Sequence, residues 1–468
     1  MSGRVVTGLA PRRATWTGLE FAVQVAVVVS LYLFRDDIVS MSLWNLALLD
    51  TLVALAVVAS VIRGAPRLVW SPTSVYAVVL VIFHAGLAMA MVAGRVSPHA
   101  FPALDEWLYR PSTRTAMWVT SLGLVGFALG VRLARSTPPA RFRERRIDDE
   151  LNQLMAVASF IVIAGAMLLW FGHSISRGGV SILVGSYDQF LDRTDEGMLW
   201  ISYYAIDVAM VFAAACTWTK WHRGTLAIFV GWSLLAFPLG LRGEILFPTV
   251  TALAVVSARR RTLPAGKTLV VAIVALSAIA AVRQVRSVGL TGLSGSDISV
   301  SPVDGLIEMG TSLRPVSEVV FWREHGDDFA DGATYWAPID RALYYVIPGW
   351  SRPPVDRDER LMSVVVMSRA GPIGFSVMAE AYRNFGPEGA LLVLAFFGYL
   401  LGRIDTWPTT RLHQSAAGIV LLGLLHHIRN SFVPIPSQLA IGFALIGLIL
   451  LIATLGKGQR RTSMRQQV

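Results

Sequence analysis

The chain predicts an all-α, polytopic membrane protein. Of its 468 residues, 54% are hydrophobic and only 15% are charged. The apolar residues fall in runs close to the ~17–25 residues that a helix needs to cross hydrocarbon. One interruption stands out. Between residues 283 and 382 the apolar runs stop, and a mostly polar stretch follows, rich in Arg, Asp, Pro and Trp. Connections elsewhere are short, so an insertion of this length reads as functional.

The runs justify themselves in order. The first, 17–34, follows Arg4, Arg12 and Arg13 and lacks a small-residue cleavage site, so it reads as a span rather than a removable signal. Runs 43–62 and 73–94 are joined through Arg63 and Arg67. The fourth, 115–131, leads into the basic stretch from Arg132 to Arg146. Runs 151–171 and 199–219 follow. The latter holds the single cysteine, Cys216, which has no partner for an internal disulfide and reads as a packing residue. Runs 225–241 and 244–258 are short and flank Arg242 at a tight turn. Run 268–282 precedes the insertion, and 388–402, 415–428 and 437–455 close the chain. That makes about twelve spans, each helical because lipid offers the backbone no partner. No internal repeat of the transporter kind is visible.

Charge gives the orientation. Alternate connections, counted from the first, hold 23 of the 41 Lys+Arg residues, including Lys220, Lys267 and Lys457, but only 5 of the 31 Asp+Glu residues. The positive-inside rule places that side, with both termini, in the cytoplasm. One polytopic domain then covers 1–468, and its insertion, 286–382, is a large extracytoplasmic loop. The connections at 105–114, 172–197, 241–244 and 426–436 face outside too. The net charge of +10 reports topology and contact with anionic lipids. Nucleic acid is not an expected partner, because the basic residues are split among short loops.

Ionisable groups at the outer ends of spans are the functional candidates, since charge there is costly. Arg242 and Glu244 sit in Pro238-Leu-Gly-Leu-Arg-Gly-Glu-Ile-Leu-Phe-Pro248. Arg283 and Arg286 lie one turn apart where the ninth run leaves the membrane. Arg314 and Arg369 lie within the insertion. Glu380, Arg383 and Asn384 fall at helical spacing beside Tyr382, and His426, His427, Arg429 and Asn430 cluster at a later outer end. Several outward arginines without an outward lysine fit recognition of phosphate oxygens by a planar fork. Against this, the chain holds 38 Arg and 3 Lys, so any one arginine reads equally as an ion-pair member or an interfacial anchor. Asp327-Asp328 and Asp356-Arg-Asp358-Glu359 read as solvated surface rather than a cation site. Trp322, Tyr335, Trp336, Tyr344, Tyr345 and Trp350 suit stacking on sugars or an interfacial belt. There is no Walker loop, paired cysteine cluster or HExxH, so no nucleotide, metal or other cofactor is expected.

The segment Gly371-Pro-Ile-Gly-Phe-Ser-Val-Met-Ala-Glu-Ala-Tyr-Arg-Asn-Phe-Gly386 leads into a run ending Gly398-Tyr-Leu-Leu-Gly402-Arg403. It resembles the S…AE-x-Y-x-N-F-G…G…LG stretch of bacterial O-antigen polysaccharide polymerases, the Wzy family of repeat-unit polymerases. The turn Gly240-Leu-Arg-Gly243 is similar to that family's G-x-R-G/S segment. Arg383 departs from the small or apolar residue that many relatives carry. The resemblance implies a glycosyltransferase-type polymerase in the bacterial cytoplasmic membrane. Such an enzyme transfers a glycan chain from an undecaprenyl diphosphate carrier to another lipid-linked repeat unit, beside membrane lipids and other polysaccharide-assembly proteins. In such a reaction Glu380, ahead of His427, takes the acceptor proton. Arg242, Arg283, Arg286, Arg314, Arg369 and Arg429, with Glu244, surround the diphosphate, and Tyr382, Arg383 and Asn384 hold sugar. An O-antigen-type ligase differs only in its acceptor. A flippase or transporter, which would place its charges at the midplane, and an envelope scaffold are the other readings.

Overall fold

An apolar run with no solvent to hydrogen-bond its backbone folds as a helix, because only then is every interior N–H paired within the segment. The computed structural model describes residues 14–65, 68–96, 102–137, 148–183, 185, 189–190, 193–194, 196–258, 264–288, 301–344 and 347–466. No strand occurs among them. The helices of nine residues or more are α1 (Ala14–Leu33), α2 (Leu43–Gly64), α3 (Pro72–Val92), α4 (Pro111–Ser136), α5 (Asp148–Gly178), α6 (Glu196–Ala215), α7 (Lys220–Ala236) and α8 (Gly243–Ser257). They continue as α9 (Ala265–Val288), α10 (Pro302–Gly310), α11 (Leu313–Glu324), α12 (Ala333–Leu343), α13 (Met362–Ala370), α14 (Val377–Ile404), α15 (Arg411–His427) and α16 (Ile435–Gln466).

Every predicted run falls on a helix, α1 to α9 and α14 to α16. Six of these, α2, α3, α4, α5, α14 and α16, are long and apolar enough to cross a membrane. The expected count of twelve spans is therefore supported for six. Helix α8 is short for a span: its 15 residues rise about 23 Å, against a hydrocarbon core of about 30 Å. Large apolar side chains point outward from the bundle, among them Leu168, Leu234, Leu392 and Phe396. In water such a surface would be an aggregation hazard, whereas in lipid it is solvated.

The central pair is α4 with α14. Both carry glycines four residues apart, Gly126/Gly130 and Gly398/Gly402. A β-carbon on Gly130 would fall on the Ala395 carbonyl, one on Gly398 on the Phe127 carbonyl, and one on Gly402 within 2.6 Å of Cβ of Ala134. Small residues let the two backbones touch, and packing is what joins helices where there is no hydrophobic drive. In the sequence, Gly398 and Gly402 stand out only as part of a family-like stretch. Their role in the fold is this contact.

The insertion is not an extended polar loop. Its described part folds largely as α10 to α13. Ser301 caps α10 by accepting from Val303 N–H at 3.3 Å. Gly305 and Gly310 then let α10 wedge against backbone on both sides, at Leu276 of α9 and Gly86–Leu87 of α3. Helix α11 buries Leu313, Val316 and Val320 and packs on α4 and α14. These apolar faces are too short to register as spans, and the polar residues between them dominate the composition.

One end of the bundle is clamped by buried charge. Arg132 of α4 pairs with Glu20 of α1 and donates to the Ser60 hydroxyl at 3.1 Å. Arg135 donates to the Val61 carbonyl at 3.0 Å and approaches Asp405, just past α14, at 4.0 Å. Asp405 in turn accepts from the hydroxyl of Thr73. The other end of α14 carries Glu380.

Candidate active site

Helix α14 begins at Ser376, whose hydroxyl accepts from Ala379 N–H at 3.2 Å. After a stub of two turns the helix breaks at Phe385 (φ −138°, ψ 15°) and Gly386 (φ 69°, ψ −159°). Pro387 causes the break: it has no N–H, and its ring clashes with the carbonyl four residues back, that of Arg383. Gly386 takes up the left-handed backbone at the kink, which a β-carbon would strain. The freed carbonyls are not left bare. Arg383 O accepts from Ala330 N–H at 2.9 Å, and Asn384 O from Asp331 N–H at 3.1 Å. The Asn384 amide donates to Thr334 Oγ1 at 2.7 Å and to the Glu380 carbonyl at 2.8 Å, and its oxygen accepts from Thr334 N–H at 3.4 Å. The Asn-Phe-Gly-Pro break is thus the dock that holds the start of α12.

Glu380 leaves the same stub and meets His427, the last residue of α15. His427 Nε2 lies 3.1 Å from Glu380 Oε2, and neither side chain has exposed surface. The same oxygen accepts from Phe432 N–H at 2.6 Å. The turn after α15 is tied back to the approach to α14, where Phe375 N–H donates to the Arg429 carbonyl at 3.1 Å. Phe432, Phe397 and Tyr335 wall the imidazole, with ring centroids 5.4, 5.8 and 6.5 Å away. Glu380 Oε1 and His427 Nδ1 are buried with no hydrogen-bond partner among the described residues. Leaving such atoms unpaired costs about 1–3 kcal/mol each, so each asks for an explanation. Chemically, the pair is a carboxylate-oriented imidazole with one lone-pair edge open.

The described arginines among the candidates do not gather at one point. Arg242, nearly fully buried before α8, donates to Glu308 of α10 at 2.8 Å. Its Nε and Nη1 are buried without a partner among the described residues. Glu244 lies in the first turn of α8. That helix packs on α15, with Phe247 5.2 Å from the His426 ring. Arg314 is placed elsewhere, 3.3 Å from Glu106 and 3.5 Å from Glu318, which also binds Arg110. A third group forms around Asp327, which Arg369 reaches at 2.6 Å and Arg383 at 3.4 Å, with Arg323 beside Asp328. Arg429 is half-buried in the turn that wraps Glu380. Arg283 and Arg286 lie on the last turns of α9, but their side chains are outside the described residues. Tyr382 sets its ring edge-on to that of Phe329 at 6.1 Å.

The acidic stretches are not simply solvated. Asp358 is 2% exposed and accepts from Arg341 and Arg360 at 3.0 and 2.8 Å. Trp322 is buried, while Trp336, Tyr344 and Trp350 are exposed; Tyr345 lies outside the described residues. Asp207, not among the candidates read from the sequence, is buried inside α6 with Oδ2 3.4 Å from Nε2 of His426. Its signal was a lone carboxylate in an apolar run, which a search confined to span ends passes over. An apolar groove of about 800 Å³ opens between α5 and α7, lined by Met167, Leu168, Phe171 and Leu235 among others. It carries no ionisable side chain and shares no residue with the Glu380–His427 pair.

Comparison with known proteins bears on what this arrangement is. The family profile for O-antigen polysaccharide polymerase Wzy matches residues 112–457. The chain is also 24% identical over 303 residues to Protein CapE of Staphylococcus aureus, covering 64% of this chain and 66% of that protein, just under two thirds of its length. No solved structure matches. The profile match takes in α4, the insertion, the kinked stub and α15, and on that extent the chain belongs to the O-antigen polysaccharide polymerase Wzy family.

Proposed function

We propose that this multi-pass membrane protein polymerises polysaccharide at the outer face of the bacterial cytoplasmic membrane, with both termini inside. The donor is a glycan on undecaprenyl diphosphate, and the acceptor is another lipid-linked repeat unit. The acceptor hydroxyl oxygen bonds to the donor's anomeric carbon as its proton passes to the Glu380–His427 pair. The bond from that carbon to the diphosphate oxygen breaks, and the polyprenyl diphosphate leaves with the electron pair. Glu380, fixed by Phe432 N–H, orients the imidazole and offsets its charge when protonated, as a carboxylate does for a catalytic histidine.

The leaving diphosphate needs fixed positive charge near its oxygens. Arg242 supports this role through its two spare buried donors, and Arg323, Arg369 and Arg383 through three guanidinium groups shared between two aspartates. One observation carries the reading: two residues 47 apart in the chain, each singled out by chemistry, meet in a buried contact with an edge left open.

The test is Glu380→Gln, expressed in cells lacking the native gene, with surface polysaccharide run on a gel. Single repeat units at normal membrane abundance are the expected result. Long-chain polymer from normally expressed Glu380→Gln protein overturns it. In the gene deletion, long chains retained on the lipid carrier would instead identify a ligase, and repeat units trapped on the inner leaflet a flippase.

A further inference from the structure

Tyr335 reaches the Glu380–His427 pair from a third element, α12. Its ring is fixed by Phe432 at 5.1 Å, Phe385 at 6.3 Å and the edge of His427 at 6.5 Å. Its hydroxyl is buried with no hydrogen-bond partner among the described residues. Burial, then the carboxylate of Glu380, then Tyr76, push the phenol well above its ordinary value, so it remains a donor across the working pH range.

A second group comes from α3. His84 is fully buried, and its Nδ1 lies 3.1 Å from the Leu80 carbonyl. That contact assigns the proton to Nδ1 and leaves Nε2 an acceptor. Nε2 too lacks a partner among the described residues, and His84 is within electrostatic reach of His427. By the same logic, Nε2 of His427 faces Glu380 Oε2 with its proton, so Nδ1 presents a lone pair. The rings of Tyr335 and His427 adjoin, His427 touches Glu380, and His84 lies within electrostatic reach of His427, so one buried neighbourhood holds four orphaned atoms: a phenol donor, two imidazole acceptors and a carboxylate oxygen.

This set matches a group that is both donor and acceptor, small and uncharged. A phosphate does not fit, because three of the four atoms would repel it. A sugar hydroxyl fits on both counts. We propose that Tyr335, with the open edge of the Glu380–His427 pair and His84, forms a closed subsite for the reacting hydroxyl of the acceptor sugar, Tyr335 donating the hydrogen bond that orients it. The assignment rests on the acid–base role given to Glu380 and His427.

The experiment compares Tyr335→Phe with the unmodified full-length protein in lipid vesicles supplied with lipid-linked repeat units. The phenyl ring keeps every aromatic contact and loses only the unpartnered hydroxyl, so thermal stability in detergent should hold or rise. The expected result is a fall in kcat/KM of about 10- to 100-fold, the size of one lost hydrogen bond to a reacting group. The fall should be equal from pH 6 to 9, because the phenol does not titrate there. Unchanged kinetics overturn the proposal, as does a loss of activity that only tracks a loss of folded protein. Glu380→Gln in the same vesicles separates the two claims. Inactive Glu380→Gln beside fully active Tyr335→Phe removes the subsite alone, whereas active Glu380→Gln removes the pair and the subsite together.

Discussion

A buried charge holds its place only through what surrounds it, and two deeply buried candidates, Glu380 and Arg242, do so differently. Glu380 has one oxygen served twice and one not at all. Arg242 has one nitrogen on Glu308 and two spare donors. Residue types and span-end positions pointed to both in the sequence. What the sequence could not supply was the partner of each, because 47 and 66 residues separate the members of the two pairs. The spare donors of Arg242 make a sharp prediction. Lysine can keep the ion pair with Glu308 but not the fork, so Arg242→Lys tells ion pairing from bidentate anion binding. Losing the fork at a diphosphate should cost about 1.5–3 kcal/mol. Polymer yield in an expression-matched strain should therefore fall at least tenfold, with membrane abundance unchanged. Wild-type yield would mean that Arg242 serves the fold alone.

At the scale of elements, the long apolar helices were legible because about twenty apolar residues in lipid have one foldable state. The insertion was not, because α10 and α11 are only 9 and 12 residues long, too short to read as spans, and polar flanks disguise them. The kink in α14 lay in plain view as Asn-Phe-Gly-Pro, yet its use as a dock for α12 depends on Ala330, Asp331 and Thr334, some fifty residues upstream. The α4–α14 contact likewise had its signal, a small-xxx-small pair on each helix. Its weight can be measured. Gly130→Val would drive a branched side chain into the Ala395 carbonyl, while a β-carbon at Gly165 of α5 meets nothing within 4 Å. Gly130→Val should lose about 1–3 kcal/mol or more through overpacking, seen as a lower unfolding temperature in detergent and less protein in the membrane. Gly165→Val should match the unmodified protein, and equal behaviour of the two variants would remove the close contact from the account.

At the scale of the whole molecule, α14 joins the two buried clusters. Its kinked start carries Glu380, and its far end leads to Asp405 and the Arg132–Arg135 clamp. Twenty-five residues at 1.5 Å each separate these by about 37 Å, slightly more than a hydrocarbon core. The clamp lies on the side where basic residues accumulate, so under the proposed orientation the positive-inside rule would put it in the cytoplasm and the Glu380–His427 pair outside. Two positions test this without disturbing either cluster. Lys220 begins α7 and is exposed, and the side chain of Asp328 is 98% exposed. Cys216, the one native thiol, is buried, so single cysteines at 220 and 328 in a Cys216→Ser background should report cleanly. With a membrane-impermeant maleimide on spheroplasts, position 328 should label at once and position 220 only after the membrane is opened. Labelling at 220 in sealed spheroplasts, with none at 328, would invert the molecule. The Glu380–His427 pair would then face the cytoplasm, where the proposed transfer between lipid-linked glycans on the outer leaflet could not occur.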